Sequence, residues 1–168
     1  MHPSLSRIHP RLLIEPESLA RRLVTYLERV VLGLSGGVDS AVVASLCARA
    51  FGGGNVLAMV LPYRDLAAED MERARLVIEG LGLASETVDI TPIVAGYEAS
   101  QPGMNWHRRG NVQARARSMV IFDKLTEQDA LPVGTSNRTE ILFGYFTQGG
   151  DDLSQVNPIA DLYKTQVW

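Results

Sequence analysis

One short stretch constrains this chain more than any other. The apolar run Val30-Val31-Leu32-Gly33-Leu34 ends in Ser35-Gly36-Gly37, and a helical pattern takes over from Asp39 to Phe51, stopped by Gly52-Gly53-Gly54. An apolar run closed by a double glycine reads as a buried strand entering a tight turn. A strand that feeds straight into a helix is the first half of a βαβ unit, and the chain goes on to repeat it. Val56–Leu61 is a second apolar run closed by Pro62, and Met71, Ala74, Ile78 and Leu81 follow at helical spacing before Gly82. A third strand is expected at Glu86–Ile90, a long helix from about Asn111 to Gln128, a fourth strand at Leu131–Gly134 and a short helix around Arg138–Phe143. Another helix is expected to open at Pro158. Upstream, residues 16–29 put Leu19, Leu23, Tyr26 and Leu27 on one helical face. Residues 97–110 lack periodicity and carry Gly, Pro and Ser, so a long loop is expected there.

Parallel strands need right-handed crossovers, so this alternation predicts an α/β fold: a three-layer, doubly wound, mainly parallel sheet of the Rossmann-like kind, in a single domain over 1–168. Ligands of such folds sit beyond the carboxyl ends of the strands. Ser35–Ser40 and Thr135–Glu140 both follow expected strands, so the fold brings them to one edge.

Composition narrows the partners. The 168 residues are 46% hydrophobic and 21% charged, with a mean hydropathy of +0.03, as in a globular domain; a chain of this size can bury roughly 70% of its unfolded surface. The single cysteine, Cys47, sits among Ala44, Leu46 and Ala48; it reads as core and excludes an internal disulfide, which points to a reducing, cytoplasmic setting. With 16 Lys+Arg against 19 Asp+Glu, the net charge of −3 argues against nucleic acid or an anionic membrane as partner. Any phosphate site must be local.

Ser35-Gly36-Gly37-Val38-Asp39-Ser40 supplies one. Two glycines let the backbone bend tightly, several N–H groups then point the same way, and a helix N-terminus adds its positive dipole end, which together make a nest for phosphate oxygens. The loop is no Walker A motif, since it has no lysine and carries an aspartate instead. A carboxylate beside a polyphosphate makes sense with Mg²⁺ between them. Further on, Asn111 and Arg115, four apart, share a helix face that is either solvated or turned to an acidic or nucleotide-like substrate. Thr135 and Glu140 either cap a helix or supply nucleotide and metal contacts, and Lys164 is either a surface lysine or a phosphate cation.

The SGGxDS loop resembles that of the ATP pyrophosphatases with an adenine nucleotide alpha hydrolase-like fold. Taken in order, GLSGGVDSA, GNVQARAR, GTSNRTE, GYFT…GD and NPIADLYKTQV resemble the ammonia-dependent NAD synthetases over about residues 18–168. The resemblance implies a ligase reaction: ATP adenylates the carboxylate of deamido-NAD with release of pyrophosphate, and ammonia then displaces AMP to give NAD. It implies that Gly33, Leu34, Ser35, Gly36, Gly37, Val38, Asp39 and Ser40 bind ATP with Thr135 and Lys164, that Asp39 and Glu140 hold Mg²⁺, and that Asn111 and Arg115 hold deamido-NAD. No protein nucleophile is required. It also implies a homodimer, with ammonia taken from solution or from a separate donor.

Gln148 and Gln155 stand where the family has a lysine and an aspartate, and His107, beside Trp106, stands where relatives place a stacking ring. The family's domains run on past LYKTQV, so C-terminal helices are expected to be truncated here. Competing expectations are a nucleotide-binding remnant without turnover and an ATP pyrophosphatase acting on another acid.

Overall fold

The computed structural model describes residues 29–64 and 68–168. Among them, four parallel strands form one sheet: β1 (Val30–Gly33), β2 (Val56–Val60), β3 (Ala84–Thr87) and β4 (Leu131–Val133), in the order β3-β2-β1-β4. The helices are α1 (Val38–Phe51), α2 (Ala68–Leu81), α3 (Thr91–Ala99), α4 (Trp106–Gln128), α5 (Arg138–Phe143) and α6 (Lys164–Val167). The helix expected over 16–29 falls outside the described residues, save Arg29, whose carbonyl accepts from Leu131 N at 3.1 Å at the foot of the sheet.

Strand periodicity builds the three layers. Val30 and Leu32 of β1, with Val56, Ala58 and Val60 of β2, face α1 and α2, where Val43, Ala44, Cys47 and Ala74 meet them. Val31, Met59 and Leu61 face the opposite way, onto Val94 of α3 and Ala116 of α4. Each fully buried aliphatic side chain contributes roughly 1.5–3 kcal/mol relative to exposure, so residues 30–34 and 56–61 anchor both halves of the core. Burial pushes the Cys47 thiol up to about 11, which leaves it neutral and inert near pH 7.

Three expectations need correction. The strand expected at Glu86–Ile90 lies at Ala84–Thr87. Its apolar residues are nonetheless inward: Ile90 is fully buried, and Val88 N and Ile90 N donate to Val60 and Pro62 carbonyls at 3.0 and 2.9 Å. The loop expected over 97–110 shrinks to residues 100–105. Thr91–Ala99 is helical, with proline in its first turn, and α4 starts at Trp106, capped by Asn105 Oδ1, which accepts from Arg108 N at 2.9 Å. The first turn of α4 is exposed and so carries no apolar period, which is why the pattern conceals it. Finally, no helix opens at Pro158; residues 158–163 are turns and irregular chain, and the helix is only Lys164–Val167.

The strand order places the site. From β1 the chain steps outward to β2 and β3 on one side, then returns to lay β4 on the other, so the order reverses between β1 and β4. A crevice opens beyond the carboxyl ends of the strands at such a switch point, and both segments singled out above emerge there.

Candidate nucleotide site at the strand ends

The β1–α1 turn is held by its own serines. The Ser40 hydroxyl accepts from Ser35 N at 3.3 Å, donates to the Gly37 carbonyl at 3.0 Å, and lies 3.2 Å from Ser35 Oγ. Ser35 Oγ in turn accepts from Gly37 N at 3.3 Å. Gly36 sits at φ +80°, and a Cβ there would lie 2.3 Å from the Asp70 carbonyl oxygen, so the turn is packed flush against α2. No side chain caps α1. Its first-turn N–H groups and the positive end of a fourteen-residue helix therefore face outward at the switch point, as an anion site requires. Leu34 is buried and Val38 packs on the core. Of these two, only the backbone is left for a ligand.

Asp39 projects from the first turn of α1 into a polar cluster. Asn137 Nδ2 donates to its Oδ1 at 3.1 Å, and Lys164 Nζ donates to Oδ2. Asn137 also caps α5: its Oδ1 accepts from Glu140 N at 3.0 Å while Glu140 Oε2 accepts from Asn137 N at 3.1 Å, a reciprocal capping box. Lys164 N donates to Thr139 Oγ1 at 3.0 Å, tying α6 to α5. Asp39, Glu140 and Lys164 are thus brought together through Asn137 and Thr139, which the sequence reasoning passed over. The N-x-x-E spacing of 137–140 was the available signal.

Between the carboxyl ends of β1, β2 and β4 and the face of α4 lies a cleft of about 420 Å³, lined in part by Gly33, Ser35, Gly134, Thr135, Arg117 and Asp151. The sequence reasoning missed Arg117. Its Nε donates to the Leu61 carbonyl at 3.1 Å; burial pulls the guanidinium below its ordinary pKa, and the charge of Asp151 opposes that. Gly134 is required by close approach: a Cβ would meet Ser154 Oγ at 1.9 Å and Asn157 Oδ1 at 2.1 Å. The 154–157 turn therefore presses directly onto the end of β4.

Asn111 and Arg115 do share a face, and what they grip is the chain itself. Thr147 Oγ1 donates to Asn111 Oδ1 at 2.9 Å, Arg115 Nε donates to the Gln148 carbonyl at 3.0 Å, and Ser118 Oγ donates to the Gly150 carbonyl at 2.7 Å. One stripe of α4 thereby holds residues 147–150, of which Gly150 lines the cleft. Gln148 and Gln155 are exposed. Trp106, 80% exposed, meets His107 edge to face with ring centroids 5.6 Å apart. Because Arg115 supplies one of three tethers, Arg115→Ala is expected to speed amide exchange at Gln148–Asp152 about tenfold, one hydrogen bond's worth. The melting temperature is expected to move by less than about 2 °C, because the site is exposed. Unchanged exchange would show that the arginine holds nothing.

The chain is 48% identical over 139 residues to an NH(3)-dependent NAD(+) synthetase from Chlorobaculum parvum, covering 83% of this chain and 50% of that protein. The chain spans about half the length of such curated relatives. Its fold superposes on the NH3-dependent NAD synthetase of Campylobacter jejuni with a TM-score of 0.80 at 31% identity, over 92% of this chain and 71% of that one. It also superposes on the glutamine-dependent NAD+ synthetase of Acinetobacter baumannii in complex with ADP, with a TM-score of 0.82 at 29% identity, over 88% and 29% respectively. The family model described as NAD synthase matches residues 20–168, a span that takes in the serine-held turn, the Asp39 cluster and the α4 stripe, and the chain belongs to the NAD synthase family.

Proposed function

We propose that this chain carries the ATP site of an amide ligase that converts deamido-NAD to NAD with ammonia. The observation that carries the reading is the uncapped N-terminus of α1, led in by a Ser-Gly-Gly turn whose Ser35 lines the cleft at the switch point, with the Asp39–Lys164 ion pair at the first turn of the helix. The deamido-NAD carboxylate would attack the α-phosphorus of ATP and expel pyrophosphate. Ammonia would then attack the acyl carbon of the adenylate, lose a proton and expel AMP.

Chain residues would perform the positioning. The N–H groups of Val38 and Asp39 at the helix start would hold the leaving pyrophosphate in line, the serine hydroxyls would keep the turn in shape for it, and the Lys164 ammonium would offset its growing charge. Thr135, which lines the cleft, would contact the nucleoside. The stripe Asn111–Arg115 would hold the dinucleotide by fixing the 147–150 segment over it.

The donor set fits Mg²⁺, which is typically held by one or two carboxylates plus substrate phosphates. Asp39 Oδ2 already receives a cation, the Lys164 ammonium, and Glu140 lies in the same cluster through its capping box. Among the described residues no three His, Cys, Asp or Glu converge, so phosphate oxygens would complete the shell. When bound, Mg²⁺ would neutralise charge on the triphosphate. The exposed run Leu142, Phe143 and Tyr145 supports self-association as a homodimer. Among the described residues no helix is long and apolar enough to cross a membrane.

Incubation with ATP, Mg²⁺, ammonium and deamido-NAD tests the reading: NAD, AMP and pyrophosphate are expected in equal amounts. ATP binding with no AMP formed would leave a nucleotide-binding chain and overturn the ligase.

A further inference from the structure

Asn137 is fully buried, at 0% exposure, and every polar group it carries is committed. Its Oδ1 caps α5 at Glu140 N, its own N–H goes to Glu140 Oε2, its carbonyl accepts from Ile141 N at 3.1 Å, and its Nδ2 reaches a carboxylate 98 residues away in sequence. Capping alone does not call for this residue. Aspartate and serine cap a helix about as well, because a cap needs only an acceptor. The second bond is different. Asparagine can accept with one atom of the amide and donate with the other, and here the donated bond lands on Asp39 Oδ1. With Oδ1 occupied, the carboxylate cannot turn freely, and Oδ2 is the oxygen left for a cation; Lys164 Nζ occupies it.

Resting on the proposed reading that Asp39 holds Mg²⁺, we infer that Asn137 is a positioning residue that fixes the Asp39 carboxylate for the metal–nucleotide and touches neither metal nor nucleotide itself. Capping α5 and orienting Asp39 are then a single act: the amide that starts the helix after β4 also sets the rotamer of the carboxylate after β1. This couples the two strand ends across the switch point. It also sets Glu140 relative to Asp39, since both carboxylates bond to the same residue.

The test is ATP affinity measured by calorimetry with and without Mg²⁺ on the full chain, alongside thermal unfolding. Asn137→Ser keeps a capping acceptor, removes the amide donor and adds no charge. Asn137→Asp keeps cap and shape but sets a second carboxylate against Asp39. Both are expected to unfold cooperatively and to bind metal-free ATP, Asn137→Ser within about twofold of the parent, while the Mg²⁺-dependent gain in ATP affinity falls about tenfold, the scale of one hydrogen bond to a charged group. A folded Asn137→Ser that keeps the full Mg²⁺ gain overturns the inference. Failure of both variants to fold overturns it too, because Asn137 would then be structural. If the parent chain itself shows no Mg²⁺-dependent gain, the reading of Asp39 as a metal ligand falls, and the inference with it; a gain in the parent that only the variants lose supports both.

Discussion

Asp39→Ala is expected to abolish the Mg²⁺-dependent gain in ATP affinity and, where the ligase reaction is measured, to drop turnover below detection. It is also expected to lower stability by about 1–3 kcal/mol, which separates the structural account from the sequence-based one. Read from sequence, Asp39 is a loop carboxylate that packs no core, so its loss should leave the fold untouched. The structure gives it two partners. Removing it strands Asn137 Nδ2, which is fully buried, and a buried donor without an acceptor costs about 1–3 kcal/mol. It also frees Lys164 Nζ, which is half-exposed and can be solvated at little cost. Asp39→Asn separates the two effects: its amide oxygen still accepts from Asn137, so most of the stability is retained while the charge that attracts a cation is lost. Calorimetry with and without Mg²⁺ and thermal unfolding read the two quantities independently. A folded Asp39→Ala that keeps the parent's Mg²⁺ dependence would remove the carboxylate from the metal site.

The sequence disclosed what periodicity and glycine chemistry encode. Val30–Leu34 and Val56–Leu61 announce buried parallel strands because both faces of the sheet are covered, and Ser35-Gly36-Gly37 announces the turn because no other residue type bends so tightly. Helix α3 and the first turn of α4 were hidden for opposite reasons. Helix α3 is short and begins only after the apolar residues Val88 and Ile90, which resemble strand; the first turn of α4 is solvated, so its start is marked by the Asn105 cap alone. The site divides in the same way. Ser35–Ser40 follow from local chemistry, but the contact between Asp39 and Asn137 spans 98 positions and depends on strand order. Asn111 and Arg115 were legible as one helix face; that the face holds residues 147–150 was not, because a backbone carbonyl leaves no mark in the sequence.

The same turn yields a second large effect. Gly36→Ala is expected to destabilise the chain by about 3 kcal/mol or more and to weaken ATP binding at least tenfold. Two costs combine. At φ +80° an L-residue is strained by about 1–2 kcal/mol, and the new methyl would sit 2.3 Å from the Asp70 backbone oxygen. That oxygen belongs to the first turn of α2 and cannot rotate away as a side chain would, so either α2 or the turn must move, at a typical overpacking cost of about 1–3 kcal/mol. Movement of the turn also disturbs the bond from Arg73 Nε to the Gly36 carbonyl, 3.2 Å in the parent, and the Ser35–Ser40 contacts that aim the N–H groups outward. Gly103 provides the control, because it has nearly the same φ, +81°, and a methyl added there would meet nothing within 4 Å. Gly103→Ala therefore carries the strain without the clash and is expected to cost about 1–2 kcal/mol with ATP affinity unchanged. The difference between the two melting transitions isolates the contact with α2, and the difference in ATP affinity isolates the turn as the phosphate site. Equal losses of affinity in both variants would place the phosphates elsewhere.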